Sequence, residues 1–598
     1  HYTLNYTSFK IICCLIILLG TTLHAQDRRK IEIEFAPFMT FDESKPDATI
    51  LTRDNSKQVH IKHQGIEMWC DEAIYDAKQD FIEAYGKVKI KQGDTINMTS
   101  NYVEYSGKTE LAFASGKVIL EDQNSVIKTD TLYFDRIKQQ AFYQNKGKVV
   151  RDSTAIITSL IGRYYLKNKK YEFKKNVKLV NPEYIIKSNR LDFYSLSGYA
   201  FLYGPTTITS ETSVIYCKRG FYNTNNDTGY FVKESKINYD ERVVEGDSIY
   251  FNRSKSFASA TNNIVITDTL NNTIIKGHYA EVFREKDSLF ITQRALAITL
   301  QENDSIFVHS DSIMVTGKPK KRIIRGYYNA KIYKSDLSGK ADSIHMNQNN
   351  GLIQLINLNI NTTQDAFYKT KKPVLWNISN QITGDSIHLI ANSNSKSLDS
   401  LKVFNNAFVI SKDTLGDGYN QISGKKLYGL FKNNSLSTID IIKNAETLYY
   451  LRNKENELVG IDKSKSGAIK IWLMDNTINE MQKYNQIGGK TYPVLDFPEN
   501  EKIIRGFNWR ETERPTSVKD LFRDDPPLNL KSIKGLDSYP SHEIFFDSNL
   551  LDRVKKAEPK LDNNTKNINQ RTTNKSARKI PKNLFKDTYK TKKTIKND

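Results

Sequence analysis

Proline, cysteine and helical patterning are all in short supply in this sequence. Only 14 prolines are spread over 598 residues, so long stretches are free of the residue that interrupts a β-ladder. Of the four cysteines, Cys13 and Cys14 lie in an apolar run near the start, which leaves Cys70 and Cys217 for the rest of the chain. The phrases that carry common enzyme chemistry are missing: HExxH, GxSxG and CxxC do not occur. Two GKT triplets invite a phosphate-loop reading, but the required first glycine is replaced by Tyr102 and by Tyr484. His60 and His63 have no carboxylate at a usable metal spacing. These absences exclude the familiar enzyme classes, and no catalytic residue, metal or cofactor is expected.

Aromatic and β-branched residues, by contrast, are plentiful. The chain has 33 Tyr and 28 Phe, interleaved with Asn, Asp, Lys and Ser. Such interleaving suits antiparallel strands joined by polar turns, so the expected class is all-β. Residues 9–30 read FKIICCLIILLGTTLHAQDRRK, with a lysine, a short apolar run and small residues leading to Ala25. That run is too short to span a bilayer and has the layout of a secretory signal over 1–25. Net charge is +20, and residues 551–598 hold 15 Lys/Arg against 5 Asp/Glu. This Asn-, Lys- and Thr-rich tail is expected to be disordered. An exported basic tail points to anionic lipid before nucleic acid, and to plain solvation before either.

The dominant feature is a repeat. EAYGKVKI at 83–90 returns as AFASGKVIL at 112–120 and as YQNKGKVV at 143–150. The strand that precedes each phrase repeats as well: MWCDEAIYD from Met68, MTSNYVEYS from Met98, IKTDTLYFD from Ile127, with further copies onward to 422. The period is close to 30 residues to about 340 and then stretches to roughly 40. Such periods mark stacked arrays. Polar turns such as DAKQD (76–80) and SGKTE (106–110) make the units hairpins. Gly86, Gly116, Gly147, Asn176 and Asn263 each mark a bend or bulge.

Strand alternation then assigns faces. Val88, Ile90, Val118, Leu120, Val149, Val177, Leu179, Ile264 and Ile266 fall on one stripe, with Ala84, Gly86, Ala114 and Gly116 among them. Lys87, Lys89, Lys117 and Lys148 fall on the other side. The stripe is either the sealed core of a stacked array or a trough left open for an apolar ligand, and the small residues favour the trough. Cys70 and Cys217 hold similar places five repeats apart. At ~4.8 Å per strand they are separated by about 24 Å, beyond the roughly 7 Å reach of a disulfide, so two free buried thiols are expected. An Asp-(Ser/Thr)-(Leu/Ile) triplet recurs along the chain, at 130, 247, 268, 287, 304, 311, 342 and 385 among other places. It reads as a turn or strand start, and it also resembles an acceptor for bacterial O-glycosylation.

Taken together, CDEAIYDAKQDFIEAYGKVKI (70–90), SNYVEYSGKTELAFASGKVIL (100–120) and TDTLYFDRIKQQAFYQNKGKVV (129–150) resemble the OstA-like, or organic-solvent-tolerance-like, lipopolysaccharide-transport proteins. The resemblance is clearest over 60–210 and extends to about 320. It implies an elongated antiparallel β-jellyroll in the periplasm that holds lipopolysaccharide acyl chains in its groove and passes them toward the outer membrane. It also implies partners among the lipopolysaccharide-transport proteins of the inner and outer membranes, met through sheet-edge pairing, with an end-to-end oligomer as one form. The alternatives are a repeat-built structural or adhesin-like exported protein, or a periplasmic assembly factor for outer-membrane proteins. The expected organisation is a leader (1–25), clear repeats (26–210), continuing repeats (211–340), degenerate repeats (341–450), an extension of unknown role (451–550) whose Pro-broken, charged stretch 508–529 reads as a linker or docking segment, and the basic tail (551–598).

Overall fold

The computed structural model describes residues 30–533, apart from 42, 44–45, 124, 152–153, 301–303, 359–371, 393–396, 434 and 476. The expected leader and basic tail lie outside the described residues. Within them, 36 strands join into one continuous antiparallel ribbon, as the repeat predicts. The prevailing unit is a pair of strands of 11 or 12 residues, such as Phe81–Gln92 with Ile96–Ser106.

Each long strand is bent once, near its middle. Tyr85 pairs with Tyr102 and Val88 with Ser100, so Gly86 and Lys87 together oppose Asn101 alone. Both take positive φ, 72° and 45°. Equivalent left-handed pairs recur at Gly116–Lys117, Lys175–Asn176, Asn262–Asn263, Gln293–Arg294 and Tyr328–Asn329. A two-residue bulge turns the strand without changing which side chains face inward, so Ala84 and Val88 stay on one face. Gly86 and Gly116 are needed here twice over, for their φ and because an added Cβ would come within 2.9 Å of the Cβ of Asp71 or Asn101. Gly116→Ala is therefore expected to lower stability by about 2 kcal/mol, read as a lower urea midpoint.

Two expectations need correction. Gly147 does not supply a bend, because the positive φ falls on Lys146. Gly147 and Gly162 instead make room for the ring of buried Tyr143, which an added Cβ at either would overlap. Among the eight sites named above, the Asp-(Ser/Thr)-(Leu/Ile) triplet begins a turn or strand at Asp268, Asp287 and Asp304. At Asp130, Asp247, Asp311, Asp342 and Asp385 it occupies the bend itself. There the Asn263, Asn329 and Asn406 amides donate to the Asp247, Asp311 and Asp385 carboxylates at 2.8, 3.0 and 2.9 Å. At these three bends the carboxylate holds the left-handed pair across from it.

The bends fold the ribbon lengthwise into two facing sheets. Inward residues from the two halves meet across the interior: His63 Nδ1 with Tyr105 OH at 2.6 Å, Ser125 Oγ with Tyr171 OH at 2.5 Å, and the Tyr184 and Tyr222 rings at 5.8 Å. Hairpin tips close the side opposite the bends. Gln92 donates to Gln139 at 3.2 Å, Lys169 pairs with Asp122 at 2.5 Å, and Arg151 donates to the Ser195 carbonyl at 3.1 Å. Burial pushes the Asp122 carboxyl up, but hydrogen bonds from Lys169 and Tyr164 outweigh it and hold the group below the usual carboxylate range. Cys70 and Cys217 are free and fully buried, each one residue before a bend, and burial pushes both thiols up to about 12.

After residue 398 the strands lengthen to 15, 14, 18 and 17 residues, which is why the repeat period stretches. Strands Leu458–Met474, Thr477–Tyr484 and Gly488–Tyr492 complete the array. The chain then turns back. Residues 493–533 run as a strap, with only short 3₁₀ turns, over the outer face of the second sheet, the one formed by the half-strands that include Val88 and Val118. Its anchors lie ever further back in sequence. Gln421 donates to the Lys502 carbonyl at 2.8 Å, Gln381 to the Asn508 carbonyl at 2.7 Å, Lys331 to the Leu521 carbonyl at 3.0 Å, and Asn262 to the Lys531 carbonyl at 2.8 Å. Phe497 and Ile504 pack on Phe408, Ile410, Leu448 and Ile461, and Leu521 packs on Leu296 and Ile298. The segment 508–529, expected as a linker or docking piece, is docked on its own chain.

Candidate ligand cavity between the two sheets

The interior is filled by two apolar clusters. The first runs from Ile31 to Phe231 and the second from Ile249 to Ile471, with Ile237 packed against both. Between them the filling fails, leaving a cavity of about 570 Å³. Its walls come from both sheets: Ile186, Ile208, Ile215 and Ile237 on one side, Phe231, Ile249, Phe251 and Val282 on the other. The cause is local side-chain size. Earlier repeats direct Tyr143, Tyr171 and Phe173 inward, whereas this region offers Ala258, Ala260 and Ala280. A volume of this size matches sites that enclose a substantial apolar ligand.

Polar groups rim the cavity where the hairpin tips meet. Arg253 pairs with Glu183, and the Arg284 Nε donates to Tyr239 OH at 2.7 Å while its guanidinium lies 4.4 Å from the Tyr239 ring centre. Glu211 completes the rim. Inside it, Tyr222 OH donates to Asp227 at 2.6 Å. Burial first, then neighbouring carboxylates, push the Tyr184 hydroxyl up to about 12, so it stays neutral near pH 7. An apolar pouch edged by two arginines can take an apolar chain with its charged end left at the rim.

The stripe read from the sequence lies elsewhere in the same interior. Val88, Val118, Leu120, Val149, Val177, Leu179, Ile264 and Ile266 are buried in the two clusters, and Ile90 is half-buried against the first. None of the nine lines the cavity. Lys87, Lys89, Lys117 and Lys148 are exposed, as alternation predicts. The cavity-lining residues were missed because their signal is a small change within the repeat: Ala258 and Ala260 stand before the left-handed pair Asn262–Asn263 where Tyr171 and Phe173 stand before Lys175–Asn176.

Residues 28–189 match the family described as OstA-like protein. The matched stretch begins just before the first described strand and ends within Tyr184–Tyr194, so the cavity opens at its C-terminal border. Among solved structures, that of LptH, the LptA-homologous periplasmic component of the lipopolysaccharide transport device of Pseudomonas aeruginosa, aligns with 21% of this chain and 87% of its own. Identity is 12% and the TM-score 0.19. No curated protein sequence matches.

Proposed function

We propose that the protein is a periplasmic carrier of lipopolysaccharide, holding acyl chains between its two sheets on the way to the outer membrane. The observation that carries this reading is the cavity: apolar walls from both sheets and an Arg253–Arg284 rim suited to the phosphates of a lipid headgroup. The OstA-like match over the stretch leading into it supports the same assignment. Each acyl CH₂ kept from water is worth ~0.8 kcal/mol, so even part of a chain held here lowers the cost of crossing an aqueous compartment. The protein does this passively, and a partner supplies the energy.

The ends of the array suit assembly with other transport proteins. At the N-terminal end, Glu32–Phe35 and Phe38–Phe41 each pair on one side only among the described residues, and Phe38, Met39 and Phe41 are 60%, 48% and 71% exposed. At the other end, Thr477–Tyr484 and Gly488–Tyr492 are also paired on one side. Edges of this kind accept a strand from another chain. Photo-crosslinking tests the carrier reading. A photoreactive residue at Ile237 or Val282, in protein exported by lipopolysaccharide-producing cells, should yield lipopolysaccharide adducts. Absence of adducts at both sites in exported, folded protein would overturn it.

A further inference from the structure

The outer face of the second sheet carries two rows that cross its strands side by side. One row is basic. Lys128 stands directly opposite Lys148, Lys148 opposite Thr158, Thr158 opposite Lys178, and Lys178 opposite Lys187. The neighbouring row is apolar, with Val126, Val150, Ile156, Val180 and Ile185 in unbroken register. The same two registers run on across the sheet, through a mixed stretch that includes Tyr216, Glu245 and Val265 in one and Asn238 and Thr267 in the other. Under the strap the first holds His309, Lys331 and Lys340, and the second Ile274, Ile298, Phe307 and Tyr333.

The covered half shows what the track is built to hold. Lys331 and Lys340 are directly opposite each other, a like-charge arrangement that weakens a sheet when left alone. The strap relieves it. Asp524 lies 2.9 Å from Lys331 and 4.0 Å from Lys340, Glu513 lies 3.0 Å from Lys340, and the Leu521 carbonyl accepts from Lys331 at 3.0 Å. Asp525 meets His309 at 2.9 Å, while Val518, Leu521 and Phe522 cover the apolar row. In the open half, the pairs Lys128–Lys148 and Lys178–Lys187 are of the same kind, and all four side chains are exposed. Among the described residues no carboxylate pairs with any of the four.

We propose that this open half of the track binds an extended, acid-rich segment of a partner polypeptide, which brings carboxylates to the two lysine pairs and apolar side chains to the valine–isoleucine row. Charge complementarity and continuity with the strap's own interface carry the assignment. The basic tail is not the occupant, since residues 551–598 hold 15 basic against 5 acidic residues. The stretch 534–550 between strap and tail carries Asp537, Glu543 and Asp547, so the test also compares a chain ending at residue 533. The centres of the two lysine pairs are three strand spacings, about 14 Å, apart, which an extended chain spans in about four residues. The inference does not depend on what fills the cavity.

The test uses the full chain and a fluorescent peptide of residues 511–529 made acid-rich by Lys519→Glu and Arg523→Glu. The peptide should bind at low salt, more weakly as salt rises, and about tenfold more weakly to the Lys148→Glu/Lys178→Glu protein. Val150→Ser/Val180→Ser should weaken binding with its salt dependence unchanged. Unchanged peptide affinity in the chain ending at residue 533 supports a partner as the occupant. Peptide binding gained only on that truncation overturns it in favour of the chain's own segment. No binding, or an affinity indifferent to both pairs of substitutions, would overturn the proposal. So would phosphatidylglycerol vesicles that bind through Lys148 and Lys178 while the peptide does not, since that would make the face a membrane-contacting one.

Discussion

Phenylalanine at both Ala260 and Ala280 should weaken the binding of a fluorescent acyl-chain probe by about a hundredfold. The two alanines are direct cross-strand partners in Phe257–Asp268 and Thr273–Phe283, and both line the cavity. Two rings there would take the space of some four methylenes. At ~0.8 kcal/mol each, that is about 3 kcal/mol, or two factors of ten in affinity. The added side chains enter open volume rather than packed core, so the urea midpoint should hold or rise. Unchanged probe affinity in the folded double variant would show that the acyl chain does not use this cavity.

Gln381→Leu should release the strap at a cost of about 2–4 kcal/mol. The Gln381 side chain is fully buried, donates to the Asn508 carbonyl at 2.7 Å, and accepts from the Arg510 N–H at 2.7 Å. Leucine has similar bulk but makes neither of these bonds to buried backbone groups, each loss costing about 1–3 kcal/mol. Arg510 itself is anchored through Glu513 and the Lys372 carbonyl, so that corner of the strap would loosen as a unit. Limited proteolysis is the measurement: cleavage within 493–533 should speed up well before the array is cut. Equal protection in variant and parent would mean that the apolar contacts alone hold the strap.

Much of the array is legible in the sequence because strand alternation is a local property. Two residues suffice to say that Val88 faces in and Lys89 out, and the structure buries the first and exposes the second. Bends were legible where a glycine or asparagine advertised them, as at Gly86 and Asn176. They were hidden at Gln293–Arg294 and Tyr328, where the left-handed pair depends on neighbouring strands. The cavity was not legible, since its walls meet only after two sheets fold together and set residues such as Tyr184 and Tyr222 face to face. Nor was the strap. Ile274, Leu296 and Phe307 on an outer face read as ordinary strand residues until a segment more than 200 positions away covers them.

The strap also gives the array an uneven stiffness. A ribbon of antiparallel strands bends most easily about axes parallel to its strands, because nothing but ladder hydrogen bonds and side-chain packing resists the opening of one strand from the next. A tie pinned at Gln421, Gln381, Lys331 and Asn262 resists that opening across the C-terminal half, as a tension member does along one side of a beam. Among the described residues the N-terminal half has no such tie. Flexing is therefore expected to concentrate upstream of Asn262, where the two cores are also discontinuous, and opening of one strand from the next there would widen the cavity rim.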